Sequence, residues 1–324
     1  MGRILVTGAN GFVGNSLCHQ LTELGVDIIA TVRTESPDML SENNQVEVIG
    51  TIHKSTYWKG VLEGVDTVIH LAARVHVMDE LSVDPLFEFR SVNTFGTLNL
   101  AKQAAQAGVK RFIFISTIKV NGEQTSMGLP FKPDDTNTPI DPYGLSKYEA
   151  EVGLRKIARE TGMEVVIIRP SLVYGPGVKG NFVSMMKWLA KGLPLPLGAI
   201  HNKRSLVSLD NLVDLITICI DHPNAANETF LVSDGNDIST TMLLTKLATL
   251  LNVPRRLLPI PSAWLMFFAK LLGRKNVAQR LLGSLHVDIS KTKTLLGWTP
   301  PYTVDESLKK TAQFFITHEH KAKQ

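Results

Sequence analysis

In the stretch DPYGLSK, Tyr143 and Lys147 stand four residues apart. On a helix that spacing puts both side chains on one face. A free phenol, with a pKa of about 10, is a poor base at neutral pH. A neighbouring ammonium favours the phenolate. Such a tyrosine can move a proton on or off a sugar or alcohol oxygen while a hydride leaves or joins the same carbon. The pair is common on ordinary helix surfaces, so its meaning depends on its company. Thr117 follows the apolar run FIFIS, where a hydroxyl could bond and align the reacting oxygen. Ser116 would face the opposite side of that strand.

The company includes TGANGFVGN, residues 7–15, which continues directly from RILV. Glycines fall at 8, 11 and 14. Strand, glycine turn and helix in that order make a phosphate cradle. Gly8 permits the tight turn, Gly11 lets backbone approach a pyrophosphate, and Gly14 lets the helix pack closely on the strand. Around Asn10, Phe12 and Val13 the helix start offers free N–H groups and a positive dipole end. A glycine-rich turn without a ligand is the bland alternative, and the strand–helix context argues against it. Where the second strand ends, Val32-Arg33-Thr34 lacks the acid that would hold a ribose 2′-hydroxyl. A guanidinium there can receive a 2′-phosphate, which favours NADP over NAD. Arg33 as a merely solvated strand end is the competing reading.

These residues need a scaffold, and the sequence supplies one. Short β-branched runs at 3–7, 27–32, 45–49, 67–72, 112–116 and 164–169 read as strands. Helical patterns lie between them, at 10–24, 87–107 and 143–161. The strands are apolar throughout instead of alternating, the mark of a parallel sheet covered on both faces. The fold class is therefore α/β, a Rossmann-type doubly wound parallel sheet. After Arg169 proline and glycine become frequent, with helical patterns at 211–221, 241–251 and 263–272. TFLVS, 229–233, reads as a strand returning to the sheet. The expected organisation is a nucleotide-binding domain over 1–175 and a smaller lobe over 176–324 that closes on the carboxyl ends of the strands, where ligands bind in such sheets. The tail THEHKAKQ is polar and reads as frayed.

The 324 residues are 44% hydrophobic and 20% charged, with a formal net charge of +4. The small excess without a dense Lys/Arg run argues against a nucleic-acid surface. Cys18 and Cys219 offer neither a disulfide framework nor metal-ligand spacing, so no metal is expected and the reading is a cytoplasmic protein. LLPIPSAWLMFFAKLLG, 257–273, is too short and too interrupted to span a bilayer; a packed helix or a membrane-surface contact remain as readings.

Taken together, the motifs resemble the extended short-chain dehydrogenase/reductase family in its nucleotide-sugar epimerase/dehydratase branch. TGANGFVG is similar to the glycine motif, VIHLAA to a fourth-strand signature, and VNTFGTLNL to a helix carrying a structural Asn, here Asn93. FISTIKVNGE, DPYGLSK, IIRPSLVYGPG, VSLDNLVD and LLGWTPPYTVDESL extend the resemblance over nearly the whole chain. It implies catalytic roles for Thr117, Tyr143 and Lys147, and cofactor contacts from Leu71, Ala72, Ala73 and Pro170. It also implies a UDP-sugar or dTDP-sugar substrate. Asn181, Arg204 and Arg280 would meet the diphosphate, the backbone near Leu197 the base, and Lys119, Asn121 and His76 the sugar. A homodimer through the helices at 87–107 and 143–161 is a further implication.

The departures from the pattern are specific. Ile118 and Lys119 occupy the places where dehydratases of the family keep an Asp-Glu pair, which argues against 4,6-dehydration. Asn121 replaces the usual Tyr, and Thr51 stands where an Asp often contacts adenine. Arg33 and Thr51 tilt the reading towards a reductase acting at C4 of a UDP-linked 4-keto-6-deoxy-aminosugar, which must exchange its cofactor. The alternatives are a UDP-sugar 4-epimerase that retains NAD, and a non-catalytic NAD(P)-sensing protein.

Overall fold

The computed structural model describes residues 2–34, 45–75, 84–126, 128–135 and 137–321. His76 lies outside the described residues. Seven parallel strands form the main sheet: β1 (Arg3–Thr7), β2 (Ile28–Val32), β3 (Gln45–Val48), β4 (Val65–His70), β5 (Arg111–Ile115), β6 (Glu164–Pro170) and β9 (Thr229–Val232). Their order is β3-β2-β1-β4-β5-β6-β9. This is the doubly wound arrangement, with the order reversing beside β1.

The apolar runs have a direct physical reading. Ile4 and Val6 point into one core with Ile113, Ile168 and the inner faces of helices α1 (Phe12–Glu23) and α6 (Leu209–Asp221). Leu5 points the other way, joining Val68, Phe112 and Phe114 under α3 (Thr97–Gln106) and α4 (Pro142–Thr161). The inner strands thus feed two cores and are mostly apolar at both parities, whereas the edge strand β3, with Gln45 and Val48 exposed, is not. Cys18 and Cys219 are free thiols inside the first core, both pushed up to about 12 by burial.

The expected helix at 87–107 begins earlier, as α2 (Pro85–Phe89) capped by Asp84, and continues through a π-helical stretch at Arg90–Gly96 into α3. The wider turn is invisible to periodicity. It lets Asn93 reach out of the helix to both backbone groups of Arg74 and to Ser146.

In the C-terminal half, β9 pairs with β6 as expected. A small parallel pair also forms, β7 (Leu172–Tyr174) with β8 (Leu206–Ser208). A third core gathers around α5 (Asn181–Ala190), α7 (Thr240–Leu250) and α11 (Val304–Lys321). The remaining helices are α8 (Ser262–Leu271), α9 (Lys275–Leu282) and α10 (Ser290–Leu296). The tail reading needs correction, because α11 carries its helix to Lys321. Asp234, just beyond β9, holds this region together. It accepts from the Tyr174 hydroxyl at 2.7 Å, from the Asn211 amide at 2.7 Å and from the Ser208 backbone at 2.8 Å.

Candidate active site

The carboxyl ends of β1, β2, β4, β5 and β6 share one edge of the sheet, and most of the cofactor and proton-transfer candidates follow those ends. After Thr7 the chain turns at Gly8, whose φ of 69° an L side chain would strain to adopt. A Cβ on Gly8 would stand 2.9 Å from the Ala72 backbone, and one on Gly14 would stand 2.2 Å from the Gly8 carbonyl oxygen. The loop therefore presses against the segment after β4, and α1 presses against the loop. Gly11 begins α1 with no side-chain cap, leaving the first-turn N–H groups beside Asn10, Phe12 and Val13 without a side-chain partner. A cradle closed to any Cβ at its base and uncapped at its helix end fits a dinucleotide's pyrophosphate. Leu71, Ala72 and Ala73 are half-buried at the mouth of β4, Pro170 is buried at the end of β6, and Arg33 is exposed just past β2.

A strut missed by sequence reasoning locks this edge. His70, at the last position of β4, places Nδ1 2.7 Å from the Thr7 hydroxyl and Nε2 2.9 Å from the Thr97 hydroxyl. The Ala72 amide also donates to Thr7, at 3.2 Å. Burial and the nearby Lys147 charge push His70 down to about 3, so the ring is neutral and serves as a hydrogen-bonding spacer. Its partners are distant in sequence, and no local pattern announces them.

Tyr143 and Lys147 occupy the first turns of α4. Asp141 caps this helix by accepting from the Gly144 amide at 3.1 Å, and Pro142 opens it. Lys147 is buried, its Nζ donating to the Ile115 carbonyl at 2.7 Å and lying 4.3 Å from the Phe114 ring centroid. Burial pushes the amine down to about 7, against an opposing pull from Glu151. Tyr143 packs edge-on to Phe89 at 5.8 Å, with Lys119 Nζ 5.9 Å from its ring centre. Its phenol is pushed upward by burial first and by Asp141 second. The sequence argument expected the lysine to make the phenol acidic. In the free protein the direction is the opposite, because Lys147 turns to a carbonyl and desolvation dominates.

Thr117 is extended after β5 and accepts from the Lys119 amide at 3.3 Å. Ser116 faces the other way, donating to Glu151 at 2.6 Å. Glu151 is fully buried and takes a two-pronged bond from Arg169, at 2.9 and 2.6 Å. Asn121 belongs to this network too. It accepts from Arg169 at 2.9 Å and donates to the Lys132 carbonyl at 2.6 Å. Its amide is committed there, and only 1% of its surface is exposed. Lys119 does lie beside Tyr143, paired with Asp141 at 3.0 Å.

The expected diphosphate contacts are spread across the C-terminal half. Asn181 is exposed at the start of α5. Arg204 is half-buried, its guanidinium reaching the Gly283 carbonyl at 3.4 Å, and burial lowers its pKa. Arg280 is exposed in the last turn of α9, three residues before Gly283, so Arg204 and the end of α9 are neighbours. Leu197 is half-buried, its carbonyl accepting from Thr241 at 2.6 Å.

The model of the NAD dependent epimerase/dehydratase family matches residues 4–233. The chain belongs to that family. Its members include a Vibrio cholerae UDP-glucose 4-epimerase, 52% identical over 97% of this chain and 95% of its own length. An Escherichia coli O157:H7 N-acetyl-α-D-glucosaminyl-diphospho-ditrans,octacis-undecaprenol 4-epimerase is 29% identical over 98% of this chain and 96% of its own. Among solved structures, the Thermotoga maritima UDP-glucose 4-epimerase with UDP-glucose superposes with a TM-score of 0.76 at 25% identity, covering 98% of this chain and 99% of that one. The family is an NAD-dependent one of the extended short-chain type, and the doubly wound sheet described above is its fold.

Proposed function

We propose that the protein is a UDP-hexose 4-epimerase with NAD as a retained cofactor. One observation carries this over the reductase favoured by sequence alone: the 52% identity to a UDP-glucose 4-epimerase along 97% of the chain. In this reading a bound NAD supplies a reversible hydride acceptor for the sugar's C4 and, when oxidised, a positive charge that favours the phenolate. The glycine cradle from Gly8 to Gly14 holds the pyrophosphate, and Leu71–Ala73 and Pro170 border the dinucleotide. Tyr143 takes the proton from the C4 hydroxyl as a ketone forms, keeps it while the sugar turns over, and returns it to the same oxygen as C4 is reduced from its other face. Thr117 aligns that oxygen. Lys147 holds the nicotinamide ribose and counters the phenolate. Asn181, Arg204 and Arg280 meet the diphosphate. Burial of both free cysteines accords with a reducing cytoplasm.

Arg33, exposed just past β2 and flanked in sequence by Val32 and Thr34, favours the second reading, an NADPH-dependent C4 reductase. Denaturing the purified protein and identifying the released nucleotide separates the two. The epimerase releases NAD and interconverts UDP-glucose and UDP-galactose with none added. The reductase is empty and consumes NADPH only with a 4-keto sugar nucleotide. In either case Tyr143→Phe is expected to lower kcat by about 10³ with an unchanged melting temperature. Equal, negligible turnover in both chains would instead mark a binding protein.

A further inference from the structure

Helix α8, SAWLMFFAKL, is apolar on nearly every side, yet none of its residues is buried. A helix of that composition ordinarily belongs inside a core. Here Trp264, Phe267, Phe268 and Leu271 recur at the spacing of one helical face and are 59%, 60%, 49% and 75% exposed. Leu272 extends the face at 73% exposure. The rings pack on one another, Phe267 on Phe268 at 5.5 Å and Trp264 on Phe268 at 6.2 Å between centres. Leu265, Met266 and Ala269 turn away and are half-buried.

Charge points to what covers this face. No Asp or Glu occurs between Asp237 and Asp288, while Lys246, Arg255, Arg256, Lys270, Arg274, Lys275 and Arg280 fall within that span. These seven cations exceed the net charge of the whole chain, +4, so the remainder of the molecule is net negative. An aromatic and aliphatic face carried on a stretch of chain rich in lysine and arginine and free of acids matches an anionic lipid interface. At 10 residues α8 is about 15 Å long, half of what a bilayer core requires. Among the described residues no helix is long and apolar enough to cross a membrane. We propose that α8 and α9 form a dock that lays the Trp264–Leu271 face into the surface of an anionic bilayer.

The dock is tied to the substrate segments at both ends. Before α8, residues 195–199 pair with 257–261: the Leu195 amide donates to the Arg256 carbonyl at 2.9 Å, and the Leu195 carbonyl accepts from the Leu258 amide at 2.8 Å. After α9, the Gly283 carbonyl accepts from Asn202 at 2.8 Å and from Arg204 at 3.4 Å, and the Gln279 carbonyl accepts from Gln124 at 3.2 Å. Docking therefore brings the mouth of the proposed sugar-diphosphate site to the membrane. That consequence rests on the proposed function; the docking itself does not. By its name, the Escherichia coli relative acts on a sugar diphosphate whose carrier is a long hydrocarbon chain, a substrate for which such placement has a purpose.

The test is sedimentation of the full chain with phosphatidylcholine vesicles, with and without phosphatidylglycerol, at low and high salt. Wild type is expected to bind the anionic vesicles at least ~10-fold more tightly than the neutral ones, and to release as salt rises. Trp264→Ser with Phe268→Ser, and separately Lys270→Glu with Arg274→Glu, should each weaken binding by about tenfold or more while leaving UDP-hexose turnover unchanged. Absence of vesicle binding overturns the proposal. So does sedimentation velocity showing that the Trp264/Phe268 variant splits a dimer formed by wild type, since the face would then be covered by a second copy. Vesicle binding without any UDP-hexose turnover in wild type leaves the dock standing and removes the catalytic reading instead.

Discussion

Lys147 shows how burial can outweigh a neighbouring carboxylate in setting a residue's behaviour. Its amine is pushed down to about 7, far below the unfolded value of about 10.4. Between those values the unfolded chain holds a proton that the folded one has released, so stability rises with pH across that window. Below about 7 both states are protonated and the contribution is flat. Wild type is therefore expected to gain on Lys147→Met by on the order of a few kcal/mol between pH 7 and 10, read from urea midpoints. Parallel curves would show that the amine is not buried as described. At this scale the sequence was legible where spacing is local. Tyr143 and Lys147 share a helix face and the three glycines share a turn, so short windows suffice. The bond that holds Asn121 had no local signature, because its partner, Arg169, lies 48 positions away. His70 gave no signal because its two hydroxyl partners are 63 and 27 positions distant.

The elements around the site are joined by the Glu151–Arg169 pair, which ties α4 to β6 and, through Ser116 and Asn121, to the chain after β5. Removing one member leaves the other charged and dry. Glu151→Gln is expected to cost roughly 3–5 kcal/mol, seen as a lower urea midpoint at an unchanged slope. A cost near zero would mean that water reaches Arg169. Replacing both residues by Leu should recover part of the loss, because neither member of the pair is then left charged without the other. Strands β1, β2, β4, β5 and β6 could be read directly, since burial on two faces forces apolar runs. The β7–β8 pair could not: each strand has three residues, and Gly175, Pro176 and Gly177 follow β7 as they would follow a loop. The π-helical stretch also escaped, because its reason is the tertiary reach of Asn93 and not a period in the sequence.

For the whole molecule, the question is which surfaces meet other surfaces. Phe87 and Val152 are 59% and 48% exposed on α2 and α4, and Phe95 is 42% exposed in the π-helical stretch between α2 and α3. We propose this face for homodimerisation, separate from the α8 dock. Sedimentation velocity should give twice the mass of one chain for wild type and the mass of one chain for Phe95→Glu with Val152→Glu; an unchanged dimer would assign the contact elsewhere. The order in which the sheet is completed has its own consequence. Strand β6 ends at Pro170, and the strand that covers its outer side does not begin until Thr229. At translation rates of about 5–20 residues per second, a nascent chain leaving the ribosome carries that bare edge for roughly several seconds. Unpaired edges recruit other strands. The interval from Pro170 to Thr229 is thus when a newborn chain most needs a chaperone's shelter, and a translational stall there would turn a folding intermediate into a seed for aggregation.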